Sequence, residues 1–285
     1  MTSCVLNHIA LMVEDAERLK DFYAQWFGFE ELHRTTEGSI YLTDGHFNLG
    51  LLKQGAVPWE DEQRLGTHHI GFTIDSIAEI EHRLKEYYPS LHVEKRPPQA
   101  PYGEYRMSDP EGNMIIDLSE KGYGVDATTM GRIPCIRHIA TLTRDIPAKF
   151  EFWQKVFGLE DAHRTETEVQ DDIALALGEE HRYRTFVDNA LYCGDGFMNL
   201  AVLPMTASRD VGSKGRGVDH FGILCRDPRS LAEAMVAAAP DSLMDTRQAD
   251  RQAEYRFLDP EGNPFDMSEK KGWKVGANAW ARLKG

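Results

Sequence analysis

The sequence predicts an α+β protein in which one fold is present twice in tandem. The first observation is an internal repeat, in which residues His8 to Thr35 align without gaps on residues His138 to Thr165. The second is that further matches follow in the same order, HIGF with HFGI and then YRMSDPEGN with YRFLDPEGN. A duplication determines architecture more firmly than local propensity does, so both copies are expected to fold alike.

The length of the chain agrees with two domains. Its 285 residues are many for one domain and suit two of ordinary size, predicted at 1–130 and 131–285. His138 follows His8 by 130 residues, but His220 follows His69 by 151, so the second copy carries 21 additional residues. They are expected within an insertion at about 166–196. This insertion is either a lid or substrate loop, because loops often carry function, or a surface elaboration without a chemical role.

Each copy is itself predicted to contain two strand-helix-strand-strand-strand modules. Residues 7–13 are strand-like, and residues 16–27 place their large apolar side chains on one side of a helix that Gly28 ends. Three strands are then expected near 30–34, 39–43 and 47–52. The pattern restarts at Thr67 with a strand, a helix from Ile77 to Tyr88, and strands near 92–95, 104–108 and 114–118.

The composition excludes several classes of function. Hydrophobic residues make up 41% and charged residues 27%, as in an ordinary globular protein. The net charge of −14 argues against nucleic acid and anionic membranes as partners and favours a small-molecule ligand. The four cysteines form no CxxC pair, and no apolar stretch has the length of a membrane span. A cytoplasmic location is expected, with reduced thiols.

Several motifs, in this order and spacing, resemble the vicinal oxygen chelate superfamily, which includes glyoxalase I, extradiol dioxygenases and bleomycin-resistance proteins. They are the opening His-Ile strand, the helix end carrying Phe22, Tyr23 and Gly28, the strand THHIGF and the DPEGN turns. The resemblance covers nearly the whole chain, twice. It implies that the two modules of each half form a curved mixed sheet around a cavity that holds a divalent metal.

The resemblance also implies which residues bind the metal. The family takes its ligands from the first strand, the strand that opens the second module and the last strand. Carried over to this sequence, they are His8, His69 and Asp117 in the first half, and His138, His220 and Asp266 in the second. Two imidazoles and one carboxylate are typical of non-heme Fe(II) oxygenases, so Fe(II) is favoured, with Zn, Mn or Ni as alternatives. His68 is expected to point away from the site, since neighbouring strand residues face opposite sides.

The two ligand sets differ in spacing. Family members place the carboxylate seven residues after the Asp of the turn, which is Asp266 in the second half. In the first half that position is Ile116, and Asp117 would face the opposite side of a regular strand unless a bulge corrects it. The second half is therefore the preferred metal site.

Two further departures concern the reaction. The fourth, carboxylate ligand of glyoxalase I-like members aligns with Gly50 and Ala201, neither of which binds metal. The catalytic histidine of extradiol dioxygenases falls in a pair that aligns with His46-Phe47 and Phe197-Met198, so it is missing from the second half.

A substitute proton carrier is expected among His181 on the insertion, Tyr255 and Arg256. Arg256 is equally suited to binding an anionic substrate oxygen. For Tyr255 the alternative is core packing, because Tyr105 recurs at the matching place.

The leading functional hypothesis is an Fe(II) extradiol-type dioxygenase acting on a small aromatic or vicinal-oxygen substrate. A metal-dependent isomerase or lyase that stabilises an enolate is the second hypothesis. A metal-free binding protein of the bleomycin-resistance kind, suited to cationic ligands, is the third. The chain is a monomer or a homodimer in these hypotheses.

Overall fold

The computed structural model describes residues 4–58, 60, 63–129, 132–163, 170–171, 174–175, 178–181, 190–205, 217–247, 251–269 and 273–275. In the first half these residues form eight strands and two helices. The elements are β1 (Cys4–Val13), α1 (Ala16–Phe27), β2 (Glu30–Arg34), β3 (Ile40–Thr43), β4 (Asn48–Lys53), β5 (Gly66–Ile74), α2 (Ile77–Tyr87), β6 (Glu94–Lys95), β7 (Tyr105–Ser108) and β8 (Ile115–Ser119).

The second half repeats this order. Its elements are β9 (Cys135–Thr143), α3 (Ile146–Phe157), β10 (Glu160–Asp161), β11 (Leu191–Gly194), β12 (Asn199–Pro204), β13 (Val218–Leu224), α4 (Pro228–Ala238), β14 (Leu243–Thr246), β15 (Tyr255–Leu258) and β16 (Pro264–Ser268). The predicted tandem α+β architecture, with two modules in each half, is confirmed.

Each half has one open, mixed, eight-stranded sheet. The strand order is β2-β3-β4-β1-β5-β8-β7-β6 in the first half and β10-β11-β12-β9-β13-β16-β15-β14 in the second. The opening strands of the two modules lie side by side and antiparallel at the centre of each sheet, β1 with β5 and β9 with β13. The last strand of each half, β8 or β16, runs parallel to β5 or β13. The three strands from which ligands were predicted are therefore neighbours in the sheet.

The first helix of each half begins and ends through the same local signals. The side chain of Asp15 accepts a hydrogen bond from the backbone N–H of Arg18, and Asp145 caps α3 in the same way. Gly28 and Gly158 end the helices with φ of 67° and 68°, in the left-handed region that glycine adopts without strain.

The two halves share one hydrophobic core. The ring of Phe157 on α3 stacks on Phe72 of the first sheet with centroids 4.2 Å apart, and Phe27 on α1 packs edge-on against Phe265 of the second sheet at 5.6 Å. Each first helix therefore reaches the sheet of the other half.

The DPEGN turns also cross between the halves. Tyr23 Oη on α1 donates to Asp259 Oδ2 at 2.9 Å, while Lys149 on α3 forms an ion pair with Asp109. Glu261 accepts hydrogen bonds from the backbone N–H groups of Glu14 and Asp15. Since β8 and β16 begin just after these turns, each carboxylate-bearing strand is anchored by the other half.

The insertion lies in the connection from β10 to β11, and most of its residues lie outside the described part of the chain. Its proposed role as a lid stays a prediction. In the described residues, the helices are too short or too polar to cross a membrane. The four cysteines are free and buried.

Replacing Lys149 with Met tests the crossed anchoring. Lys149 and Asp109 are almost fully buried, so the variant leaves an ionised carboxylate without its cation, and we expect a loss of about 3–5 kcal/mol in the free energy of unfolding. Urea denaturation measures it. Tyr23→Phe is the matched control, because Asp259 keeps its other hydrogen bonds and the loss should be about 1 kcal/mol. Equal stability of Lys149→Met and the unmodified protein would contradict the anchoring role.

Candidate metal centres

The register of the three central strands brings each predicted triad together. Gly71 on β5 pairs with His8 on β1 and with Asp117 on β8. In the second half Gly222 pairs in the same way with His138 and Asp266. Asp117 and Asp266 therefore occupy equivalent positions, and both side chains face the site.

The extra residue of the first half lies in the turn and not in the strand. The backbone N–H of Asp109 donates to the carbonyl of Met114, whereas that of Asp259 donates to Asn263, one residue earlier in its turn. β7 and β8 then pair without a register shift. The bulge expected in the strand before Asp117 is therefore absent, and a longer turn corrects the register instead.

A bulge does occur at the second histidine. In β5, His69 pairs with Ala10 but the next pair is Thr67 with Leu11, which leaves His68 as the additional residue. The prediction that His68 faces away from the site is wrong, since the bulge brings its Nδ1 within 2.7 Å of His69 Nδ1. The matching irregularity in β13 falls at Asp219.

In the second half the histidines are held through their Nδ1 atoms. His138 Nδ1 lies 2.7 Å from Asn199 Oδ1, and His220 Nδ1 lies 2.6 Å from Asp219 Oδ2. His220 Nε2 lies 3.2 Å from Asp266 Oδ2. Metal-binding histidines commonly donate their other ring N–H to such a partner, which fixes the tautomer and leaves Nε2 as the ligand atom.

A stacked aromatic ring covers the first histidine of each set. Trp273 lies parallel to His138, with ring centroids 5.0 Å apart and an interplanar angle of 6°, and Tyr123 covers His8 at 4.5 Å and 7°. The central glycine makes room for this ring. A Cβ on Gly222 would lie 2.7 Å from two Trp273 ring atoms.

Burial and the neighbouring charges set the protonation states. Burial, with a smaller contribution from His220, lowers the pKa of His138 to about 3. Burial by itself would raise the pKa of Asp266, but His220 and Arg256 hold it well below its ordinary value. A neutral imidazole and an ionised carboxylate are the forms that bind metal ions.

Arg256 contacts the same donor atoms. Its Nε and Nη2 donate to Asp266 Oδ1 and Oδ2 at 2.6 and 3.0 Å, and its Nη2 also lies 2.9 Å from His220 Nε2. The pair is bidentate and buried, and Asp219 lies 3.6 Å from Arg256 Nη1.

The first half repeats this arrangement and adds charges to it. Arg106 Nε and Nη2 donate to Asp117 at 2.6 and 3.0 Å, and a second arginine, Arg96, reaches Asp117 Oδ2 at 2.8 Å. Both guanidinium groups also bind Glu60, from the segment between β4 and β5. Two arginines and two carboxylates form one buried network beside His69, whose Nε2 lies 3.1 Å from His8 Nε2.

The donor types of the second half fit a divalent metal. His138, His220 and Asp266 offer two oriented imidazoles and one carboxylate. The departures are Arg256 on the same carboxylate and the spacing, because one donor atom from each of the three does not lie within 4.8 Å of the other two. In the first half the residues do not fit. Asp117 is bound by two guanidinium groups, those of Arg106 and Arg96, and Glu60 holds both of them, so a metal ion would have to displace both to reach this carboxylate.

A third set of possible ligands was not predicted. Glu60, His68 and His69 have one donor atom each within 4.8 Å of one another, and in the described part of the chain they are the set that meets this distance. Glu60 is already bound by Arg96 and Arg106, so a metal ion here would have to displace both.

The structure brings only one of the three predicted proton carriers to the site. Arg256 is part of it. Tyr255 pairs with Met267, one position from the Arg256–Asp266 pair, and packs against the hydrophobic core, which favours the packing alternative; its catalytic role stays a prediction. His181 is half exposed in a short 3₁₀ helix, where its Nε2 lies 3.8 Å from Glu180 and not from a residue of the triads.

His46 lies where the two halves meet. Its ring contacts Phe197 of the second half at 4.9 Å, and its Nδ1 is 3.1 Å from the carbonyl oxygen of Asp126. The position aligned with the extradiol catalytic histidine is therefore a contact between halves.

Sequence reasoning missed the residues that hold the triads in place. Internal repetition was the available signal, because several of them recur at matching positions. The recurring pairs are Asn48 with Asn199, Arg106 with Arg256, Arg96 with Arg247, and Tyr123 with Trp273. Glu60 carried no such signal.

Replacing Gly222 with Ala tests the packing over the first histidine. The new methyl would overlap Trp273 and approach His138 Cβ at 3.0 Å, so we expect a loss of about 1–3 kcal/mol in the free energy of unfolding and a shifted tryptophan emission spectrum. A smaller ring in Gly222→Ala/Trp273→Phe should restore part of the stability. No recovery in the double variant would mean that the overlap is not with Trp273.

Comparison with known proteins gives the same fold. The 2,3-dioxygenase LapB from Pseudomonas sp. KL28 has a TM-score of 0.64 at 15% identity, covering 97% of this chain and 96% of that one. The Mn(II)-bound glyoxalase from Novosphingobium aromaticivorans scores 0.63 at 15% identity, with 97% and 85% covered. The 2,2',3-trihydroxybiphenyl 1,2-dioxygenase from dibenzofuran-degrading Sphingomonas wittichii strain RW1 scores 0.61 at 12% identity, with 96% and 95% covered.

At these identities the likeness shows the fold alone. No curated protein sequence matches the chain at a significant level. A family model matches both halves, over residues 5–116 and 136–267. The chain therefore belongs to the Glyoxalase/Bleomycin resistance protein/Dioxygenase superfamily.

Proposed function

We propose that the protein is a metal-dependent enzyme whose working site is in the second half, where His138, His220 and Asp266 bind a divalent metal. Its substrate is a small molecule with two adjacent oxygens. The observation that carries this proposal is the orientation of both imidazoles, each held at Nδ1 so that Nε2 serves as the ligand atom.

The residues of the site have distinct tasks in this proposal. Asn199 and Asp219 orient the two histidines, and Trp273 shields His138 from water. Arg256, a permanent cation beside Asp266, binds an anionic oxygen of the substrate. A bound metal ion supplies Lewis-acid polarisation of the substrate oxygens.

The first candidate reaction is extradiol-type ring cleavage with Fe(II) and O₂. The His-His-Asp donor set supports it, since two imidazoles and a carboxylate are the usual ligands of non-heme Fe(II) oxygenases. Dioxygenases are also among the solved structures that share this fold.

The second candidate is an isomerase or lyase reaction on an enolisable substrate. Phe197 and Met198 favour it, because they stand in the second half where extradiol dioxygenases have the catalytic histidine and neither side chain transfers a proton. Arg256 supplies the positive charge that an enolate oxygen requires.

Metal analysis of protein purified without chelator tests the proposed metal site. We expect metal in the unmodified protein and none in Asp266→Ala, because the variant loses the anionic ligand and leaves Arg256 uncompensated. Asp117→Ala is the matched control in the first half and should keep the metal. A protein that contains no metal and takes up none on reconstitution would favour the metal-free binding protein instead.

Oxygen consumption separates the two reactions. After anaerobic loading with Fe(II), a panel of catechols should cause oxygen uptake and the appearance of a coloured ring-cleavage product. Protein loaded with Mn(II) and supplied with enolisable hydroxy- or keto-acids is the parallel assay. Exchange of substrate hydrogen with solvent deuterium, without oxygen uptake, would support the isomerase or lyase and contradict the dioxygenase.

A further inference from the structure

In each half one arginine forms the same bidentate pair with the aspartate of the triad. In both halves Nε donates to Oδ1 at 2.6 Å and Nη2 to Oδ2 at 3.0 Å, from Arg106 to Asp117 and from Arg256 to Asp266. In both halves the second histidine lies 3.2 Å from Oδ2 of that carboxylate. The same buried ion pair thus occurs at the same place in both halves, so it is a feature of the fold and not a chance surface contact.

In the second half the guanidinium also reaches the remaining ligand atom. Arg256 Nη2 lies 2.9 Å from His220 Nε2, the atom that a metal would use, and 3.0 Å from Nδ1 of the same ring. A proton donor on His220 Nε2 takes up the one lone pair of that atom, and the two hydrogen bonds to Asp266 place a positive charge directly on the carboxylate.

We propose that Arg256 is a built-in competitor of the metal: its guanidinium holds His220 Nε2 and the carboxylate of Asp266, and a metal ion binds His220 only by displacing it. Metal binding at this site is therefore weaker than it would be at the same donor atoms without the arginine. The inference rests on the proposed function, because it describes how the same site takes up its metal.

In the first half the competition is stronger, because two arginines bind the aspartate. Asp117 is bound by Arg106 and by Arg96, and the additional positive charge is neutralised by Glu60, which both arginines bind. A metal ion would have to displace two guanidinium groups that a second carboxylate holds in place. The first half therefore stays free of metal, and the chain binds one metal ion and not two.

The test is titration of the metal-free full-length protein with Co(II), followed by isothermal calorimetry and by the visible absorption of the bound ion. For the unmodified protein we expect one equivalent bound. Arg256→Met should bind the same single equivalent roughly tenfold or more tightly, because the competing cation is gone and the thioether side chain fills similar space. Arg256→Lys keeps the charge but not the fork, and its affinity should fall between the two.

Arg229→Met is the control. It removes a positive charge from the same half at an exposed position on α4, where Arg229 pairs with Glu233 at 3.1 Å, and it should leave the Co(II) affinity within about threefold. Circular dichroism checks that each variant is folded. If Arg256→Met fails to fold, Arg256→Lys carries the test, because it retains the cation and should still bind Co(II) more tightly than the unmodified protein.

The first half is tested in the Asp266→Ala background, in which the second site is removed. That variant should bind no Co(II), and adding Arg96→Met and Arg106→Met should create one equivalent at His8, His69 and Asp117. Absence of any gain in the folded triple variant would overturn the inference for the first half.

The outcomes separate this inference from the proposed function. Equal or weaker Co(II) binding by Arg256→Met, beside clear binding by the unmodified protein, would overturn the competition and leave the metal-dependent function standing. Binding gained only in Arg256→Met would support the competition and count against a metal-dependent function of the natural chain. Absence of binding in both proteins would overturn both.

Discussion

The bidentate pair between a buried carboxylate and an arginine on the neighbouring strand decides the character of each site. Asp117 and Asp266 are both fully enclosed, and an ionised carboxylate is tolerated there only because Arg106 or Arg256 neutralises it. Strand register makes the pairing possible, since each arginine lies directly opposite its aspartate. The histidines and their orienting partners are then arranged around a charge balance that already exists.

The two halves share the arginine–aspartate pair but differ in the charged residues around it. In the second half one arginine faces Asp266, with Asp219 beside His220 at the bulge. In the first half His68 occupies the bulge instead, and Arg96 and Glu60 complete a closed network of alternating charges. A single exchange at the bulge, histidine for aspartate, thus accompanies a different distribution of charge around otherwise equivalent strands.

Most of the fold could be predicted from the sequence, because the internal repeat and the spacing of apolar residues in strands and helices can be read directly from it. The triads were chosen from the resemblance to the superfamily and from their recurrence in both copies, and their role as metal ligands stays a prediction. The irregular features could not be predicted: whether the extra residue before Asp117 lies in the turn or in the strand depends on which backbone groups pair, and the bulge at His68 reverses the side on which a regular strand would place it. Glu60 was missed because its partners, Arg96 and Arg106, lie 36 and 46 residues away and no repeated motif marks it.

The crossed anchoring of the DPEGN turns has a consequence for how such a chain can change over time. Tyr23 of the first half binds the turn that precedes Asp266, and Lys149 of the second half binds the turn that precedes Asp117. Neither copy can therefore be deleted without loosening the carboxylate strand of the other. A copy without chemistry of its own would therefore still serve as a structural support, and its contacts with the other half would be preserved while other positions changed.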